Sequence, residues 1–284
     1  MTLRSTLKQP FLNGVAKLPD FMQRAMLMPQ LRRICIRVPL LRAVYSGCLR
    51  RHPFDLQFGI DTSGLVDAFA LQRDPLLADQ LSPYMGSQPT IIRRALDTLG
   101  DIAGYTFVDI GCGKGRPLIV ASEYPFARVL GYDISVDLVK TANENAAAIA
   151  RRFPARAPIR AVVANVADMA VPSGNVVVFM FNPFGPELMT TLLHKLEEAL
   201  ANGAIQHLFL VYDNPVCGDV FDGSEHLKRW FATMFDYDQH ELGFGPEERE
   251  GVVIWQSVHG ARPDAFTDRN RHITTKDKLS AAVE

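Results

Sequence analysis

Three groups of residues in this 284-residue chain have types and spacings suited to chemistry. The first is Asp109 followed by Gly111, Gly113 and Gly115, within FVDIGCGKGR at 107–116. Three glycines at alternate positions carry a backbone-entropy cost, which is offset where the chain turns tightly or something approaches its backbone closely. The second is Asp133, 24 residues after Asp109, in GYDIS. The third is Asn182-Pro183-Phe184, in FMFNPFGPE. A carboxylate beside a glycine loop attracts a cation, and a second carboxylate accepts hydrogen bonds from hydroxyls. The Asn-Pro-aromatic stretch sets an amide next to an apolar ring.

The surrounding periodicity places all three at one edge of a sheet. YTFVDI (105–110), ARVLGYD (127–133), IRAVVAN (159–165), NVVVFMF (175–181) and QHLFLVYD (206–213) read as strands that are apolar on both faces, the mark of a parallel sheet covered by helices. Between them PLIVASEY (117–124), SVDLVKTANENAAAIARRF (135–153) and PELMTTLLHKLEEALA (186–201) have helical spacing. Pro117 is tolerated in a first turn, and Ser135 can cap the long helix. TIIRRALDTL (90–99) is a further helix, and FATMFDYDQH with VVIWQSVH (252–259) can add a last antiparallel pair. The expected fold is α/β, a doubly wound, mostly parallel sheet of seven strands with a helical N-terminal extension. The glycine loop then leaves the first strand at the carboxyl edge, where open α/β sheets bind ligands. The helix behind it offers free N–H groups to an anion.

A nucleoside-containing cofactor suits such a loop, and two compete. A dinucleotide fingerprint needs GxGxxG, but its third glycine position holds Arg116; the third glycine is Gly115. Asp109 would repel a pyrophosphate, yet it can hold an ammonium group such as the one on S-adenosylmethionine. Asp133 at a strand tip can accept from ribose hydroxyls in either cofactor. The alternative for both acids is capping of the turn that follows each.

VDIGCGKGR, GYDIS and the NPF after the fourth strand resemble the motifs of class I, seven-strand, Rossmann-like S-adenosylmethionine-dependent methyltransferases, over about residues 84–258. Over most of its length the chain is similar to a group of bacterial methyltransferase-domain proteins, a likeness that implies no substrate. It also faintly resembles small protein-lysine methyltransferases, in which a Tyr/Ser/Thr segment covers the cofactor's methionine end. The resemblance implies that Asp109, Gly111, Cys112, Gly113 and Gly115 hold the methionyl part and Asp133 the ribose. Ile134 would pack on the adenine. Asn165 stands where the family often has an acid for the adenine amino group, with Asp168 as a fallback. Tyr84, Ser87 and Thr90, in SPYMGSQPT (82–90), offer hydroxyls to the carboxylate end, unless SQPT only caps the next helix. In amino-group methyltransferases an Asn/Asp-Pro-Pro-aromatic stretch holds the target nitrogen. Here Asn182, Pro183 and Phe184 match, Gly185 replaces the second proline, and the alternative is a plain strand-to-helix turn.

Other groups draw blander expectations. Cys112, lodged between glycines, reads as packing; Lys114 and Arg116 are expected to face solvent. The four cysteines and seven histidines show no metal-ligand spacing, so neither metal nor disulfide is expected and a reducing, cytoplasmic location is. Residues 1–52 hold ten Lys/Arg and one acid, net +9, while the remaining 232 hold twenty Lys/Arg and thirty acids, net −10. That basic, aliphatic-rich arm reads as helices packed on the acidic body, as a peripheral helix on an anionic membrane face, or as a nucleic-acid contact. The acidic body makes the last least expected. The organisation expected is an arm (1–52), a pre-core cap (53–100), the cofactor domain (101–260) and a polar tail (261–284). The activity expected is methyl transfer, with an amine favoured as acceptor. A nicotinamide-dependent oxidoreductase and a non-catalytic scaffold are the alternatives.

Overall fold

The computed structural model describes residues 51–262 apart from 73 and 246, so the basic arm and the polar tail lie almost wholly outside the described residues. The pre-core segment forms α1 (Pro53–Phe58), β1 (Leu65–Val66), α2 (Ala68–Leu71), α3 (Pro75–Ala78), β2 (Tyr84–Met85) and α4 (Pro89–Asp97). The core follows as β3 (Thr106–Ile110), α5 (Arg116–Ala121), β4 (Arg128–Asp133), α6 (Val136–Arg152), β5 (Ile159–Val163) and β6 (Gly174–Phe181). It continues through α7 (Pro186–Ala201), β7 (Ile205–Asp213), α8 (Asp219–Asp222), β8 (Leu227–Asp236) and β9 (Arg249–Ser257).

Seven strands pair in the order β5-β4-β3-β6-β7-β9-β8. The five from β5 to β7 are parallel, and β9 runs antiparallel to both of its neighbours. The doubly wound, mostly parallel seven-strand sheet read from the sequence is therefore the fold. Winding proceeds outward from β3 to β5 and resumes on the other side of β3 with β6. The crevice above the β3–β6 junction is thus the switch point where such sheets take ligands.

Each face of the sheet is sealed by helices. On one face Phe107, Val177 and Phe209 pack beneath Ile91, Leu118 and Val139; on the other Val178, Leu210 and Tyr212 pack beneath Met189, Leu192 and Phe221. Ser135 caps α6, its hydroxyl taking the Leu138 N–H at 3.4 Å. The helix after the glycine loop ends at Ala121, short of the expected Tyr124, because Ser122 Oγ turns back onto the Ile119 carbonyl at 2.6 Å. β8 begins at Leu227, four residues ahead of FATMFDYDQH, with a bulge between Arg229 and Phe231 that re-aims Trp230 into the core.

The pre-core segment lies over the carboxyl edge. Backbone bonds fasten it to the loop after β6: Ser82 N–H to the Pro183 carbonyl at 3.0 Å, Gly185 N–H to the Gln80 carbonyl at 2.7 Å, with Leu81 bridged to Phe184.

Candidate active site

The glycine loop is tight for reasons its neighbours supply. Gly111 and Cys112 both donate their N–H groups to the Tyr132 carbonyl, at 2.8 and 3.0 Å, folding the loop back over β4. Gly111 and Gly113 sit at φ +77° and +53°, in the left-handed region where a side chain is strained. A Cβ on Gly111 would lie 2.6 Å from Pro183 Cβ, and one on Gly113 would lie 2.1 Å from the Tyr84 ring. The cap and the β6 loop thus both rest on bare backbone.

Asp109, the penultimate residue of β3, has 1% of its surface exposed, and no donor meets its buried Oδ2. Burial, reinforced by the nearby Asp133 carboxylate, raises its pKa well above the usual carboxylate range. Asp133, at the tip of β4, is bonded from both sides: Oδ2 takes the Gly113 N–H and Oδ1 the Ser135 N–H, each at 2.8 Å. Burial raises this group too, against the lowering effect of those N–H bonds. The turn-capping alternative is therefore present at Asp133, which still has lone pairs for a ribose. Asp109 caps nothing.

A cavity of about 90 Å³ opens above these residues. Asp109, Gly111, Cys112, Asp133, Ile134 and Asn165 line one end; Leu71, Leu77, Leu81, Phe184 and Leu188 line an apolar stretch of its wall. Tyr84, Ser87 and Pro183 also reach it, so most of the expected site residues converge. Cys112 packs against Gly131, and burial, with the two nearby carboxylates, pushes its thiol pKa well up, leaving an inert neutral group.

Five expected residues stand elsewhere, among them Gly115, which caps the start of α5 at φ +83° against Ala142. Asn182 is not on the cavity lining: it is buried at φ +36°, and its Oδ1 takes the Tyr212 hydroxyl at 3.0 Å. Thr90 lies in the first turn of α4, where its N–H meets the Glu241 carboxylate at 3.0 Å, an anion at a helix start. Asp168 is exposed and lines no part of the cavity. Gly113 contributes as the seat of the Tyr84 ring and not as lining.

The largest correction concerns Arg116, expected in solvent but only 3% exposed. Its Nε donates to Thr62 Oγ1 at 2.7 Å, Nη1 to the Gly86 and Ser87 carbonyls, and Nη2 to the Thr62 carbonyl at 3.0 Å. Lys114 likewise reaches Asp61 at 2.9 Å and the Ser63 carbonyl at 2.7 Å. Asp55, buried on α1, holds the same loop through Thr62 and Ser63. Local reading puts a helix-start arginine in water; the cap that buries it comes from 29 to 54 residues upstream. The acceptors in FGIDTSG were visible, but not which cation they would face.

The strand order and the glycine-loop cavity define a class I methyltransferase architecture. Residues 107–203 match the family described as methyltransferase domain. No curated protein matches the chain in sequence. A magnesium protoporphyrin IX methyltransferase from Synechocystis, solved with bound SAM, is 18% identical; the alignment covers 60% of this chain and 76% of that one, with a TM-score of 0.40. An RNA methyltransferase from Salinibacter ruber, solved with S-adenosyl-L-homocysteine, is also 18% identical, covering 66% and 100%, with a TM-score of 0.39. A protein from Thermoplasma acidophilum is 16% identical over 61% and 89%, with a TM-score of 0.40. The family match on residues 107–203 and the strand order identify this core as a methyltransferase domain with the class I, S-adenosylmethionine-dependent architecture. The residues fit that cofactor: the unpartnered Asp109 Oδ2 suits its ammonium group, and Asp133 at the tip of β4 keeps lone pairs for its ribose. Among the described residues, no helix is long and apolar enough to cross a membrane, and no acid, His and Cys side chains gather as a metal site.

Proposed function

We propose that this enzyme methylates an acceptor with an apolar body, seated against Phe184 and Leu188 on one side and Leu71, Leu77 and Leu81 on the other. One observation carries the reading. Both groups with which the Asn-Pro-Phe stretch would hold an amine are already bonded, Asn182 Oδ1 by Tyr212 and the Pro183 carbonyl by Ser82. Recognition then falls to the apolar wall.

S-adenosylmethionine supplies a methyl group on a sulfonium, an electrophile that needs no further activation. The protein's part is to align the acceptor and keep water out, the contribution that positioning makes to in-line displacement. Asp109 and Asp133 are the only carboxylates on the described lining, and both sit at the glycine-loop end. The acceptor's reacting atom therefore arrives with a free lone pair, as a neutral amine, a thiolate or another deprotonated group.

The amine reading rests on the sequence Asn182-Pro183-Phe184 and requires Asn182 to exchange Tyr212 for substrate. Transfer of labelled methyl from S-adenosylmethionine into fractionated host lysate tests both. Label in the lipid or apolar small-molecule fraction supports the apolar acceptor; label confined to protein or RNA overturns it. Tyr212→Phe frees Asn182 Oδ1. If Asn182 holds an amine, the variant gains activity or keeps it. If the bond only orders the loop, the variant loses stability by about 1 kcal/mol, the net worth of one hydrogen bond.

A further inference from the structure

We propose that Arg116 holds the carboxylate of the cofactor's amino-acid end, opposite Asp109, which holds its ammonium. The inference rests on the cofactor reading above and concerns a residue outside the glycine motif. Arg116 is a buried cation whose four bonded N–H groups all go to neutral acceptors: one hydroxyl and three backbone carbonyls. A guanidinium has five N–H groups, so one on Nη2 remains. Among the described residues no carboxylate forms an ion pair with it; Asp55 reaches it only through Thr62 Oγ1.

Asp109 is the mirror case, a buried carboxyl with an unpartnered oxygen. Both residues line the same cavity, seven positions apart across the glycine loop. Isolated charges of either sign are costly to bury, and a buried cation and a buried anion facing one cavity together neutralise an α-amino acid zwitterion. Arginine suits the task because its planar fork keeps its charge and matches a carboxylate. The fold also reserves space for it: a Cβ on Gly86 would lie 2.6 Å from the guanidinium carbon. Tying down the cap explains the four bonds to Thr62, Gly86 and Ser87. It does not explain why the group that makes them is charged.

Calorimetry on the full-length wild-type enzyme tests this with two ligands, S-adenosylhomocysteine and its decarboxylated analogue. The expected result is at least tenfold weaker binding of the decarboxylated analogue, on the scale of a lost charge-assisted hydrogen bond. In Arg116→Gln the two ligands should bind with equal affinity. Equal affinities in the wild type overturn the proposal, as does an Arg116→Gln variant that weakens both ligands by one factor, which is the behaviour of a cap tie alone. If Arg116→Gln fails to fold, Arg116→Lys keeps the charge and loses the fork: the decarboxylated analogue should then be weaker by a smaller factor than in the wild type, and an unchanged factor overturns the proposal. A wild type that binds neither ligand removes the cofactor reading, and this inference with it.

Discussion

Asp109 and Asp213 stand at the carboxyl ends of β3 and β7, on one face of the same sheet. Asp109 is level with Phe179 on β6, Asp213 with Phe181, and side chains two apart on a strand share a face. Burial raises the pKa of both well above the carboxylate range, yet they are treated oppositely. Asp213 lies against Glu250 of β9, which in turn receives the Tyr237 hydroxyl. The Asn214 N–H and the Tyr237 hydroxyl only partly offset the burial of the two groups, so the pair is favoured when one of the two carboxyls keeps its proton. Asp109 has the Asp133 carboxylate nearby and a cavity in front. The closed side of the sheet neutralises its acids internally by sharing a proton, while the open side leaves a carboxyl and a guanidinium for a ligand. An unsatisfied group matters here because of where it faces.

That contrast can be broken by experiment, beginning with its largest consequence. Asp109→Ala should weaken S-adenosylhomocysteine binding by roughly a hundredfold or more, the loss of a buried charge-assisted contact. The same variant should melt no lower than the wild type, since it removes a desolvated group that no protein donor satisfies. Retained binding together with a lower melting temperature would place Asp109 with Asp213, as a structural acid.

Glu250→Gln comes next. Burial pushes Glu250 up to about 7, so the folded chain keeps a proton that the unfolded chain releases near pH 4.5. The contribution of this group to stability is then full below about pH 4.5 and is lost as pH rises toward 7, by on the order of 1–3 kcal/mol. Denaturant unfolding across pH 4.5–8 should show a flatter profile for Glu250→Gln, with the variant overtaking the wild type at the alkaline end. A flat wild-type profile would mean that the pair shares no proton. The smallest effect belongs to Tyr237→Phe. It removes the donor that holds Glu250 down, so it should cost about 1 kcal/mol and move the titration upward from about 7. An unmoved titration would remove Tyr237 from the closed set.

Much of this architecture was legible from residue order because the features that specify it are local. Apolar strands, a serine at the start of α6 and three alternating glycines each announce themselves within a few residues. The cofactor end was legible for the same reason, since Asp109 and the loop are neighbours in sequence. The acceptor end was not. Whether Asn182 faces the cavity depends on Tyr212, thirty residues later, and on the positive φ at the end of β6. Local reading leaves Thr90 between a cofactor hydroxyl and a helix start, and the partner of its N–H, Glu241, is 151 residues away.

The sequence by itself determined the strand rhythm, the loop at the carboxyl edge and the carboxylate beside it. These follow from side-chain periodicity and backbone conformation, which act over one or two turns. Tertiary structure decided which polar groups are already engaged and which are left open. It buried Arg116 under the cap, bonded Asn182 and Pro183 to other segments, and paired Asp213 with Glu250. The physical reason is that a hydrogen bond or a charge is satisfied by whatever the fold brings within about 3 Å, and that distance has no counterpart along the chain.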